Sequence, residues 1–122
     1  MSANEIANKL HAMVTFAPGV STAAVDVLRT QGIDETEALS NRGVIRLGAG
    51  TYTVKLLTPV RGSADADGSD CICSTMTERG LRCRAFISPD GTHINVSQDT
   101  TAGVANDTGT CQIFVMRFPG NS

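Results

Sequence analysis

Between Val20 and Phe118 the chain is cut into short apolar stretches by glycine, aspartate, asparagine and proline, at intervals of roughly 8–12 residues. Such punctuation leaves room for strands and for little else. Thr51–Leu57 sets Tyr52, Val54 and Leu56 against Thr51, Thr53 and Lys55, the period of a strand with one buried face. Ala23–Thr30 carries Val25 and Val27 on one face, and Gly43–Leu47 is a shorter run. Asp70–Thr77 and Leu81–Ile87 alternate on either side of Glu78-Arg79-Gly80, as two strands joined by a turn. Ser88-Pro89-Asp90-Gly91 supplies fixed and permissive φ where a turn needs them, and predicts a hairpin into Thr92–Gln98. Thr110–Phe118 is apolar on both faces, the pattern of a central strand or of one covered by a partner.

The N-terminal segment reads differently. Residues 2–14 place Ile6, Leu10, Met13 and Val14 at helical spacing behind a Ser2/Glu5 capping box. Phe16-Ala17-Pro18-Gly19 breaks that pattern. The expected organisation is therefore a helix or arm over 1–19 and a β-sandwich domain over 20–122. Gln31–Arg42, with Asp34, Glu35 and Glu37, and Arg61–Ser69 are expected as exposed polar loops.

With 122 residues the chain has room for one core, and a small one. Twelve acidic against ten basic residues give a net charge of −2, which argues against binding driven by nucleic-acid phosphates. Aromatic residues make up 4% of the chain and tryptophan is absent, so the usual stacking platforms for single strands or sugars are scarce. No apolar run approaches the roughly 20 residues that span a bilayer, and Met1-Ser2-Ala3-Asn4-Glu5 lacks the order of a signal peptide. Synthesis in the cytosol without a membrane partner is the expectation.

The four cysteines, Cys71, Cys73, Cys83 and Cys111, invite a metal reading, since four thiolates can close a zinc site. Their spacing fits poorly, because C-x-C on a strand is not the knuckle that structural zinc takes. Reduced thiols packed in a core, or a disulfide formed after release from the cell, are the other readings. Asp65-Ala66-Asp67-Gly68-Ser69-Asp70 departs from the calcium-loop pattern and reads as a solvated turn. His11 and His93 stand outside any nucleophile motif, and Gly48-Ala49-Gly50 reads as a tight turn between two strands. Arg79, Arg82 and Arg84 are the one basic concentration. Arg82 and Arg84, on one strand face, can hold an anion, pair with the acidic loop, or meet a partner subunit.

The order Gly43-Val44-Ile45-Arg46-Leu47-Gly48-Ala49-Gly50-Thr51-Tyr52-Thr53-Val54-Lys55-Leu56, two further β segments, Ile94-Asn95-Val96-Ser97-Gln98, the polar loop Gln98–Asp107 and a closing Ile113-Phe114-Val115-Met116-Arg117-Phe118 resembles small virion proteins of tailed bacteriophages. That family includes capsid decoration proteins, head fibres and spike tips, and the resemblance covers residues 42–118. It implies a compact antiparallel β-sandwich, jelly-roll-like, that forms a homotrimer and attaches to the major capsid protein or projects from the capsid, in a virion made in the host cytoplasm. Four cysteines are not expected of the pattern.

On this reading the work is mechanical, and no catalytic residue or cofactor is expected. Ile6, Leu10, Met13, Val14, Arg82 and Arg84 are the candidates for docking to a capsid or a neighbouring subunit, the four apolar ones having packing on their own sandwich as the alternative. A receptor- or glycan-binding fibre tip is a second reading. A small metal-binding or thiol protein is a third, requiring the cysteines to converge with His93 or with carboxylates.

Overall fold

A computed structural model describes residues 10–60 and 71–117. Eight strands form among them: β1 (Leu10–Ala17), β2 (Asp26–Gln31), β3 (Val44–Gly48), β4 (Thr51–Lys55), β5 (Cys71–Met76), β6 (Leu81–Ile87), β7 (His93–Thr100) and β8 (Cys111–Arg117). They pair antiparallel in two four-stranded sheets, ordered β2-β1-β8-β5 and β3-β4-β7-β6. One apolar cluster joins the inner faces: Ala12, Val14 and Phe16 of β1 and Ile113 and Val115 of β8 on one side, Val44, Tyr52, Val54, Ile94 and Val96 on the other. The molecule is the expected antiparallel β-sandwich.

The strand alternation accounts for most of this. In β4 and β7 every second residue is buried, and the residues between them face out. The β6–β7 hairpin turns through Ser88–Gly91, where Gly91 N donates to Ser88 O at 2.9 Å. Asp90 organises that turn by accepting from the Ser88 and Thr92 hydroxyls, at 2.6 and 2.7 Å. These contacts, Ser88 first, hold its carboxyl down at about 2. Gly48-Ala49-Gly50 is indeed the tight β3–β4 turn. β8 lies between β1 and β5, as its two apolar faces predict, with Cys111, Ile113 and Val115 fully buried.

Two expectations are corrected. The helix predicted over 2–14 does not form in its described part, because Leu10–Ala17 is β1. The segment Leu-His-Ala-Met-Val-Thr-Phe-Ala is apolar densely enough to satisfy either period. Its β-branched and aromatic residues, and pairing on both sides with β2 and β8, decide for the strand. The sandwich therefore takes in residues assigned to an arm. The winding is also not that of a jelly roll, in which successive strands alternate between sheets. Here β1–β2, β3–β4 and β6–β7 are neighbours within one sheet. The turn at Glu78–Gly80 joins β5 to β6, as expected, and carries the chain between the sheets, so that β5 pairs with β8 while β6 pairs with β7. The Thr75 hydroxyl still ties the two strands by donating to Cys83 O at 2.8 Å.

Within the acidic loop the carboxylates stay at the surface while Ile33 turns in, 6% exposed and bridged to Leu56. The Arg61–Ser69 loop and the Asp65–Asp70 carboxylates lie outside the described residues, Ile6 as well. Since Val14 is wholly buried and Leu10 only half-buried, Val14→Ala is expected to lower stability by about 2 kcal/mol and Leu10→Ala by less than about 1 kcal/mol, measured by urea unfolding.

Candidate functional site

Arg46 is a charge in an inward-alternating position of β3, two residues beyond the buried Val44, so it needs a counter-ion. Asp107, from the loop that leads into β8, supplies it. Arg46 Nη2 donates to Oδ2 at 2.9 Å and Nε to Oδ1 at 3.4 Å. Gly50 N donates to the same Oδ1 at 2.9 Å, and the Tyr52 hydroxyl lies 2.5 Å from it and 3.0 Å from Gly19 O. Gly50 has φ +66°, and a Cβ there would overlap the Gln98 carbonyl, so the close approach requires glycine. Tyr52 is fully buried and packs on Phe16 with ring centroids 5.3 Å apart. Burial, then the neighbouring carboxylate, raises the Tyr52 phenol above its ordinary value. The Arg46 guanidinium first, then the Tyr52 hydroxyl and the Gly50 amide, hold Asp107 down at about 2 against the effect of burial.

Gln98 is the one buried polar side chain among the described residues, 2% exposed, and its amide is satisfied. Its Nε2 donates to Thr108 O, and its Oε1 accepts the Cys111 thiol. Cys83 stands opposite Gln98 in the β6–β7 register and packs against the core. Cys111, from the opposite sheet, approaches the same Gln98 side chain, so the two thiols converge on it between the sheets. The neighbouring Cys111 thiol favours the thiolate at Cys83 against burial, whereas the Cys83 sulfur, followed by burial, pushes the Cys111 thiol up. Cys71 and Cys73 lie on β5. No group of three or more histidine, cysteine, aspartate or glutamate side chains is placed to hold a metal among the described residues.

Outside the core, both sheets carry apolar side chains to their surfaces. On the β3-β4-β7-β6 face Leu47 is 63% exposed and Phe86 60% exposed. Beside them Arg82 makes two hydrogen bonds to Asp99, at 3.1 and 3.0 Å, and Arg84 a third at 3.2 Å. The arginine pair thus meets a carboxylate of β7, and not the acidic loop, where Arg42 holds Glu35. Arg79 is exposed in the turn before β6. Leu47, Thr53, Pro89, His93 and Asn95 are among the residues lining a shallow depression of about 400 Å3 on this face. His93 Nδ1 is 2.8 Å from the Thr92 hydroxyl, and His11, on β1, has Nε2 2.7 Å from Thr58 O. On the other sheet Met76 is exposed, and Phe114 and Met116 are half-buried beside it on the outward row of β8.

Of the docking candidates, Arg82 and Arg84 are exposed together on one face, whereas Met13 and Val14 are buried by the chain itself. Leu47 and Phe86 are further exposed positions, and their signal in the sequence is an apolar residue in the outward row of an alternating strand. The Asp107 contacts had one sequence signal, an arginine in the inward row of a strand. The chain matches no protein-family model, no curated protein and no solved structure.

Asp107 ionises at about 2 when folded and near 3.8 otherwise, so its contribution is whole above about pH 4 and is lost as pH falls towards 2. Asp107→Asn is expected to cost about 2 kcal/mol at neutral pH and to flatten the acid limb of stability, read by urea unfolding across that range.

Proposed function

We propose that this protein is a structural assembly subunit, a capsid decoration or head-spike protein of a bacteriophage, whose work is to bury interface against copies of itself and against the major capsid protein. The observation that carries the reading is the exposure of Leu47 and Phe86 on one outer face, flanked by the Arg82–Asp99–Arg84 cluster. Apolar anchors with arginine at the rim have the composition of a docking surface. The sequence resemblance to virion proteins supplies the biological setting, and symmetric burial suits a domain whose single core is small.

The second reading, a receptor- or glycan-binding tip, draws on the depression that carries Thr53, His93 and Asn95 beside Leu47. Its polar groups suit a hydroxylated ligand, and its lack of an aromatic floor ranks it second. If the face is an interface, Leu47→Asp with Phe86→Asp weakens self-association by about tenfold or more and leaves the melting transition nearly in place. Sedimentation velocity and thermal unfolding of the same samples give both quantities. Unchanged association would remove this face from the proposal, and binding of a glycan panel blocked by His93→Ala would favour the tip.

A further inference from the structure

Cys83 sits on β6, the edge strand of its sheet, and is half-buried; Cys111 begins the interior strand β8 of the opposite sheet and is fully buried. Both are held by their backbones. Cys83 O accepts the Thr75 hydroxyl at 2.8 Å, and Cys111 is paired with Phe16 in the β1–β8 register. Both side chains converge on Gln98, which faces Cys83 in the ladder and accepts the Cys111 thiol. A half-buried thiol, with a second thiol behind it at the same Gln98 side chain, is the arrangement of an attacking and a resolving cysteine.

We propose that Cys83 and Cys111 form a thiol-exchange pair that closes, on reaction with a small disulfide of the glutathione disulfide class, into a cross-link between the two sheets. In the first step the Cys83 thiolate attacks one sulfur of the small disulfide. A mixed disulfide forms at Cys83, and the other half leaves as a thiolate that takes up the proton Cys83 has lost. In the second step Cys111 attacks the Cys83 sulfur, the mixed disulfide breaks, and the departing glutathionyl sulfur keeps the electron pair and receives the Cys111 proton. The two protein thiols are oxidised by two electrons, and the small disulfide is reduced to two thiols. The bond to Gln98 is lost when Cys111 reacts, so a reducing solution reopens the link and restores that contact.

The test is incubation of the folded full chain with glutathione disulfide, followed by intact mass and peptide mapping without reduction. The expected result is the loss of two hydrogens with no retained glutathionyl group, the Cys83 peptide joined to the Cys111 peptide, and reversal by dithiothreitol. In Cys111→Ser the reaction is expected to halt with one glutathionyl group on Cys83, and in Cys83→Ser no adduct forms at Cys111. Cross-links from Cys83 to Cys71 or Cys73, a stable glutathionyl adduct in the unmodified chain, or no reaction at Cys83 would each overturn the proposal. The map of the unmodified chain decides the matter even if a variant does not fold, and Cys71→Ser with Cys73→Ser provides a second background with the same expected link.

Discussion

A single carboxylate fastens the parts of this sandwich that local sequence does not hold. Asp107 accepts from the Arg46 guanidinium on β3, from the Gly50 amide in the β3–β4 turn and from the Tyr52 hydroxyl on β4, and Tyr52 in turn reaches the Gly19 carbonyl in the loop between β1 and β2. Three segments far apart in sequence, at residues 19, 46–52 and 107, are thereby brought to one point at the end of the core. An arginine and an aspartate taken partly out of water are expensive unless their remaining hydrogen-bonding capacity is used, and here the carboxylate is fully engaged. The loop that carries Asp107 leads directly into β8, so the same contacts place the central strand of the other sheet.

With the inner faces committed to one continuous core, what distinguishes the molecule lies outside it. The only buried polar side chain among the described residues, Gln98, is satisfied by Thr108 and Cys111. Leu47 and Phe86 remain uncovered on one face, Met76 on the other. Exposed apolar anchors next to salt-bridged arginines are what an associating surface needs, since the first supply burial and the second orientation. The proposed role in assembly thus rests on the outer faces, and the thiol pair adds a covalent means of joining the two layers behind them.

Much of the fold was legible because a strand writes its burial directly into its sequence. The alternation of β4 and β7, the Ser88–Gly91 turn and the two-faced β8 were all readable, since each depends on neighbours along the chain. The N-terminal strand was not, because a stretch as uniformly apolar as Leu10–Ala17 fits a helix or a strand, and its partners β2 and β8 are what choose. The passage of the chain between sheets after β5 was hidden for a similar reason: a tight turn is compatible with a hairpin until β8 and β7 claim the two strands separately. The site was less legible than the fold. Arg46 and Asp107 are 61 residues apart, and the convergence of Cys83 and Cys111 on Gln98 depends on how the sheets stack, which no local pattern records.

The claim at the centre of this reading is that the outer faces are made to be covered. Native mass spectrometry of the unmodified chain over a range of concentrations tests it most directly. A discrete oligomer, with the trimer as the expected form, would agree with burial of these faces. A monomer at every concentration, with no association on mixing with capsid shells, would contradict it.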